Sequence, residues 1–353
     1  MFSIDKLSAA DALHEAQKIA FGPVVFQCAR LLRDWKIFEL LKSNEVGMSA
    51  QEIADELNIP KYSVDILCES GFSMGALKLD NEIYTLTNIG YFLNYDEMTR
   101  VNMDFNHDVN YKGLFYLEEA LKTGSATGLH ETFSKEETIY PILSTLPKKV
   151  KDSWFNFDHF YSDASFVKLI DIMSKKKIKK LLEPGGNTGK WAIGLTKASK
   201  ETSVTILDHQ GQIDVALKNA QTAGVRDRVD GKVVDLLDHT IAFPKGFDAV
   251  WMSQFLDCFS PSDIIALLNR SREALSDDGR VYIVEPFWDR QTHDIGSYCL
   301  INTSPYFTAL ANGKSKMYRA VEFIEFIDKA GMVVEEEINE LGFSSTMMIC
   351  KAK

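Results

Sequence analysis

The chain has 353 residues, 45% of them hydrophobic and 25% charged, with a net charge of −11, enough for two domains with sizeable cores. The acidic balance speaks against a nucleic-acid partner. No apolar run of about 18 residues predicts a membrane span, and the opening MFSIDKLSAADALHEAQ lacks the basic-then-apolar order of a secretory leader. Cys28, Cys68, Cys258, Cys299 and Cys350 are scattered, with no C-x-x-C pair; that fits a reducing, cytoplasmic setting and offers no disulfide framework and no metal site.

Residues 8–42 carry apolar positions at helical spacing, among them Ala16, Ile19, Ala20, Val24, Ala29, Leu32, Trp35, Phe38 and Leu41, with a break expected at Gly22-Pro23. That is more apolar surface than a small near-terminal domain can cover alone, and a partner chain is one way to cover it. From Met48 the pattern changes. Ser49 with Glu52 makes a capping box, Pro60 ends the first helix, Lys61 to Gly71 gives a second, and two short strands around Asp80-Asn81 give a hairpin. Helix, turn, helix, hairpin reads as a winged helix. Its second helix, KYSVDILCESG, sets Lys61 against Asp65 and Glu69, which favours a structural or dimerising use over DNA reading.

Residues 101–165 are aromatic-rich and irregularly helical, with boundaries at Pro141 and Pro147. The stretch WFNFDHFY is either core or the wall of a small-molecule pocket. From residue 178 strands and helices alternate. Strands are expected at Ile178–Glu183, Ser203–Asp208, Gly231–Val234, Phe247–Met252, Gly279–Glu285, Val333–Ile338 and Thr346–Lys351, and helices at Lys190–Ser199, Gln212–Ala223, Pro261–Ala274 and Ala320–Ala330. Short unbroken apolar strands predict a parallel sheet covered on both faces, hence an α/β, doubly wound, Rossmann-like fold behind an N-terminal, mainly α, winged-helix domain. The boundaries follow as 1–100, 101–165 and 166–353.

Ligands in such folds sit at the carboxyl ends of the strands, so Glu183, Asp208, Asp235, Ser253 to Asp257 and Glu285 should share a rim. The turn Glu183-Pro184-Gly185-Gly186-Asn187-Thr188-Gly189 brings a backbone close to a ligand and feeds a helix N-terminus. Asp208, 19 residues after Gly189, suits an acid gripping a ribose diol. The spacing is not the dinucleotide G-x-G-x-x-G; E-x-G-x-x-x-G matches class I S-adenosylmethionine-dependent methyltransferases.

With the N-terminal winged helix, L-E-E-A-L-K-T-G, Phe155-Asn156, and Tyr318-Arg319 before Glu322, the chain resembles small-molecule O-methyltransferases. That family includes the plant caffeate and hydroxyindole enzymes and bacterial polyketide-tailoring relatives. The resemblance implies a homodimer joined through intertwined N-terminal domains, S-adenosylmethionine as cofactor, and methylation of a small aromatic or conjugated hydroxylated acceptor. By that likeness Gly185, Gly186 and Gly189 would line the methionyl part, Asp208 would hold the ribose, Asp235-Leu236 would frame adenine, and Glu183 and Ser253 would complete the cradle. Trp154, Asn156, His159 and Tyr318 would touch the acceptor, and aromatic residues of WFNFDHFY and of Tyr298 to Phe307 would wall it.

The family's L-H-D-W-S motif carries a general base, but here the segment reads Phe255-Leu256-Asp257-Cys258-Phe259-Ser260. Asp257 stands in place of that His, and Tyr318 in place of a glutamate. Glu285 matches the acid that orients the base. Asp257 is either the base or a helix cap; His159, where the family has a Met, is a second candidate and His293 a third. Two other classes stay open: a cofactor-binding relative that has lost methyl transfer, as drifted decarboxylases or hydroxylases have, and a winged-helix regulator.

Overall fold

The computed structural model describes residues 7–353 and divides them into two compact units, one ending at Val109 and the other running from Asn110 to Lys353. The N-terminal unit holds α1 (Ala9–Ala20), α2 (Gly22–Asp34), α3 (Ile37–Ser43), β1 (Met48–Ser49), α4 (Ala50–Leu57), α5 (Lys61–Ser73), β2 (Leu77–Asp80), β3 (Ile83–Leu86), α6 (Asn88–Tyr95) and α7 (Glu97–Asp104). The break expected at Gly22-Pro23 is the α1–α2 junction, with Pro23 in the first turn of α2, where its missing N–H costs nothing. A second break, not anticipated, falls at Lys36, which takes a left-handed φ of 64°.

Ser49 caps α4 through a complete capping box with Glu52. The hairpin turns on Asn81 and Glu82, both at positive φ, which matches the twist of the paired strands. Leu32, Ile37, Phe38, Leu41, Ile53, Val64 and Cys68 close a small core. Helix α1 adds nothing to it: none of its residues is buried, and Leu13 and Ile19 are 62% and 80% exposed.

The second unit begins with short helices, α8 (Leu117–Thr123) and α9 (Thr127–Thr132), and then α10 (Lys148–Ser174). Pro147 is the N-cap of α10, and with no Gly or Pro inside, the helix runs for 27 residues, straight through residue 165. Then follow β4 (Lys180–Pro184), α11 (Lys190–Ala198), β5 (Ser203–Asp208), α12 (Gln210–Thr222), β6 (Val229–Val233), β7 (Phe247–Ser253), α13 (Pro261–Ala274), β8 (Leu275–Glu285), α14 (Asp294–Tyr306), α15 (Ala320–Lys329), β9 (Met332–Leu341) and β10 (Ser345–Ala352). Helix α14 lies where the sequence predicted no element; its apolar residues show no clean period and Pro305 sits in its last turn.

The strands form one sheet in the order β6-β5-β4-β7-β8-β10-β9, parallel from β6 to β8, with β10 antiparallel to both neighbours. Alternate residues feed two cores. Leu182, Leu207, Val250, Met252, Val281 and Ile283 pack on the α13 and α15 side. Leu181, Val204, Ile206, Trp251, Tyr282 and Val284 pack against α10, α11 and α12. Burial on both faces is why these strands read as unbroken apolar runs. The order reverses between β4 and β7, the switch point where such sheets open a crevice.

The capping box supports a direct expectation. Ser49→Ala should cost the N-terminal unit about 1 kcal/mol, read as a lower urea midpoint; an unchanged midpoint would mean the cap contributes nothing.

Candidate active site

At the switch point the chain turns sharply twice. Gly185 and Gly189 take φ of 72° and 74°, and Asn187 between them 50°. The first glycine is compulsory on two counts, because a Cβ there would also lie 2.3 Å from the Phe255 ring. At Gly186 a Cβ would press on Ile206 and come within 3.1 Å of the Glu183 carboxyl. The turn therefore packs down on Glu183 and against the loop after β7. Within the turn the Gly185 N–H donates to the Leu207 carbonyl at 2.8 Å and the N–H of Gly189, the N-cap of α11, to the Gly186 carbonyl at 2.9 Å.

Glu183 closes β4 only 4% exposed, and it makes no hydrogen bond among the described residues; its Oε2 is buried and unpartnered. The backbone of the glycine turn does not satisfy it. Burial first, and the neighbouring Asp208 second, push its carboxyl well above the usual range. Asp208, 8% exposed, accepts the Asn187 N–H at 2.9 Å on Oδ2 and the His209 N–H at 2.8 Å on Oδ1. Burial raises its pKa while those two donors oppose the shift. Each oxygen keeps a lone pair for a further donor.

Beyond β6, Asp235 is exposed and caps its own turn by accepting the Leu237 N–H at 3.0 Å. Leu236 is buried, and its carbonyl is held by Arg270 Nη1 at 2.8 Å. The Ser253 hydroxyl at the end of β7 is buried without a partner.

The loop after β7 turns at Gln254, a non-glycine residue at φ 46°. Glu285, 1% exposed at the end of β8, fixes the next two residues: its Oε1 accepts the N–H groups of Phe255 at 3.0 Å and Leu256 at 2.7 Å. Asp257 follows in a short 3₁₀ turn, 8% exposed, with the Cys258 thiol donating to Oδ1 at 3.5 Å. Burial pushes the Asp257 carboxyl up to about 6. Glu285, buried and facing Asp257, is raised well above the usual carboxylate range.

Three further residues join this cluster. Asp158, half-buried on α10, is raised to about 6, chiefly by burial, with the exposed His159 lowering it and Asp257 raising it further. Tyr306, at the end of α14, accepts the Trp154 indole N–H at 2.7 Å. The Tyr140 hydroxyl lies beside the Cys258 thiol, and burial raises both groups. Asp158 lies within WFNFDHFY, one helical turn from Trp154, and Tyr306 within Tyr298 to Phe307, the two stretches expected to wall the acceptor; nothing in the sequence ties Tyr140 to Asp257.

Asn156 and His159 have exposed side chains, and His159 lies 5.8 Å from the Phe155 ring. Tyr318 is 2% exposed and its hydroxyl is committed to the Phe259 carbonyl at 2.8 Å, so what it gives the site is the position of the loop carrying Asp257. His293 is the exposed N-cap of α14. Among the described residues no group of three His, Cys, Asp or Glu is placed to hold a metal ion.

A model of the Dimerisation2-like domain matches residues 14–84, and a model of the O-methyltransferase domain matches residues 158–333. The chain is 27% identical over 318 residues to L-tyrosine C(3)-methyltransferase of Streptomyces lavendulae, a match covering 89% of this chain and 85% of that protein. It is 21% identical over 315 residues to bacteriochlorophyllide d C-20 methyltransferase of Chlorobaculum tepidum, covering 87% and 90%. Among solved structures, the apo form of the S-adenosylmethionine-dependent methyltransferase SibL matches with a TM-score of 0.73 at 24% identity, over 96% of this chain and 99% of that one. The O-methyltransferase NcsB1 from neocarzinostatin biosynthesis, in complex with S-adenosylmethionine and 2-hydroxy-5-methyl naphthoic acid, matches with a TM-score of 0.67 at 19% identity, over 93% and 96%. At these identities the structural matches establish the shared fold.

The raised carboxyls set a pH dependence. A proton held by Asp257 in the folded chain stabilises it fully below the unfolded pKa of about 3.9, and that contribution is lost as the pH rises through about 6. Asp257→Asn should remove it, gaining up to about 3 kcal/mol on the parent between pH 4 and pH 8. Urea titrations at both pH values measure this, and parallel pH dependences in the two proteins would refute it.

Proposed function

The chain belongs to the S-adenosylmethionine-dependent methyltransferase family, and on that premise we propose that it methylates a small phenolic acceptor with Asp257 as proton acceptor. The observation that carries this reading is Asp257 itself: a buried carboxyl at a strand-end loop, raised to about 6 and anchored through Glu285, where the resemblance to the O-methyltransferases had implied a histidine.

The rim fits the donor. Glu183 offers an unpaired buried oxygen to an ammonium group. The glycines of the turn let it pack down on Phe255, Ile206 and Ala216, which holds its backbone where it would line the methionyl chain. Asp208 has lone pairs left for the ribose hydroxyls, Asp235 and Leu236 would frame the adenine, and the Ser253 hydroxyl is unspent. When bound, S-adenosylmethionine supplies an electrophilic methyl group on a sulfonium.

The chain's own task is then alignment, exclusion of water and removal of one proton. Glu285 fixes the backbone under Asp257, and Asp257 takes the proton of the acceptor hydroxyl as the oxygen is methylated. Trp154 and Tyr306 supply wall on the acceptor side.

A second reading is favoured by the two relatives above, both of which methylate carbon according to their names. The acceptor atom would then be a ring carbon beside the hydroxyl. Asp257 would draw the hydroxyl proton to activate the ring and return it to oxygen, while the ring carbon loses its own proton to water.

The N-terminal unit we read as a winged-helix module that joins two copies into a homodimer. The Dimerisation2-like match and the wholly unburied α1 support this. Its second helix, α5, has Lys61 paired with Asp65 at 2.7 Å, an unsuitable face for DNA. Residues 110–165 we read as the connector that brings Tyr140, Trp154 and Asp158 to the acceptor. All five cysteines are free, which supports a cytoplasmic setting.

Two measurements bear on this. Asp257→Asn should lower turnover on a phenolic acceptor by about 10²-fold or more with S-adenosylhomocysteine affinity kept; equal turnover would remove Asp257 as the base, and NMR of the product separates O-methyl from ring-methyl. Asp208→Ala should strongly weaken S-adenosylhomocysteine binding in calorimetry, and unchanged affinity would defeat the cofactor assignment.

A further inference from the structure

One buried cation has no task in the reaction just described. Arg270 lies on α13, one turn from Leu267 on one side and from Ala274 on the other, both core residues, and is itself only 6% exposed. Its guanidinium carbon lies over the Phe243 ring, 4.1 Å from the centroid, and Nη1 donates to the Leu236 carbonyl at 2.8 Å. Nε and Nη2 are buried without a hydrogen bond, and among the described residues no carboxylate pairs with them. A buried charge with two unmet donors is costly to keep, and an apolar side chain of similar volume would pack the same space at no such cost. Packing alone therefore gives no reason for an arginine here.

What the arginine holds is one peptide group. The carbonyl of the Leu236–Leu237 peptide accepts Nη1, and the N–H of the same peptide donates to Asp235 Oδ1 at 3.0 Å. Because the group is planar, fixing its carbonyl fixes the direction of its N–H, and bonds at the two ends strengthen each other. The rest of the loop gives Asp235 little support. The Asp238 and Ile241 N–H groups donate to carbonyls within the loop, and Thr240 donates to the Asp238 side chain. Among the described residues, two hydrogen bonds tie residues 235–241 to the rest of the fold, and both end on α13. One is Arg270 to Leu236; the other joins the exposed His239 to Asp263 at 3.0 Å.

The Val234 N–H donates to the Asp208 carbonyl at 3.0 Å, so the exposed Asp235 leaves the sheet beside the strand end read as gripping the ribose. Its Oδ2 makes no hydrogen bond among the described residues. A carboxylate only accepts, so the feature of a base that it can recognise is an amino group. We propose that Arg270 is the positioning residue for the base of the donor, holding the Leu236–Leu237 peptide so that Asp235 receives the amino group of adenine. This rests on the cofactor assignment above and adds to it the residue that sets the preference for an amino-bearing base.

The test titrates S-adenosylhomocysteine and S-inosylhomocysteine, which has a keto group in place of the amino group, calorimetrically into the full-length protein. The parent should prefer the adenosyl ligand by about tenfold, the scale of one hydrogen bond. Arg270→Met should lose most of that preference, and Arg270→Gln, which keeps a donor for the Leu236 carbonyl, should fall between. Asp235→Ala should abolish it, and adding Arg270→Met to Asp235→Ala should change S-adenosylhomocysteine affinity by less than about twofold, because the arginine acts through that carboxyl. A full preference in Arg270→Met overturns the inference, as does an equal loss of affinity with and without Asp235, the mark of a merely structural residue. If Arg270→Met does not fold, Arg270→Gln decides, and a preference equal to the parent's overturns the inference. A parent that binds both ligands equally overturns it and leaves the cofactor assignment standing. A parent that binds neither removes both.

Discussion

The acceptor end of the proposed site hangs from one carboxyl oxygen. Glu285 Oε1 takes the amides of Phe255 and Leu256, and those two bonds stitch the end of β8 to the loop that leaves β7. A typical hydrogen bond contributes about 1 kcal/mol, so the pair is comparable with the cost of the left-handed turn at Gln254 just before them. Three placements follow from this clamp. The Phe255 ring occupies the space a Cβ of residue 185 would need, which forces glycine there; Leu256 is driven fully into the core; and Asp257 lands, buried, in the short turn. The proposed donor cradle and the proposed proton acceptor are thus not separate constructions. They meet at Phe255.

The two sides of the site are made of different material, and that decides how much of each could be read from the chain. On the donor side the essentials are strand ends and missing side chains: Glu183, Gly185, Gly189 and Asp208 follow one another at spacings set by a strand, a turn, a helix and a strand. Those spacings survive in a linear sequence. The strand Ser203–Asp208 and the helix Pro261–Ala274 occupy the spans expected of them because their apolar patterns are set by burial within, and against, a single sheet. On the acceptor side, Tyr140, Asp158, Asp257 and Tyr306 come from four segments with no fixed separation, so only the fold assembles them.

Where the reading fell short, the cause is local. Aromatic residues are spread around α10, which blurs its period and hid a helix of 27 residues behind what looked like an irregular connector. β8 begins at Leu275, and the polar Ser276, Asp277 and Asp278 kept the expected strand from starting before Gly279. Tyr318 illustrates a different gap: a residue matched to a family motif by position turns out to spend its hydroxyl on Phe259 and its ring on Phe323 and Phe326. A motif fixes where a residue stands, and the neighbours decide what it does.

Helix α10 has one further consequence. Leu169 and Met173 are fully buried near its end, and Gly342 backs it so closely that a Cβ would stand 2.7 Å from the Ser165 amide. These contacts fix the rotational phase of the rod. Since each residue advances an α-helix by about 100°, one residue gained or lost between Asp158 and Ser165 would swing Trp154 and Asp158 away from Tyr306 and present their neighbours instead. Descendants of this chain can therefore explore new acceptors by exchanging side chains along the first four turns of α10. They cannot do so by changing its length.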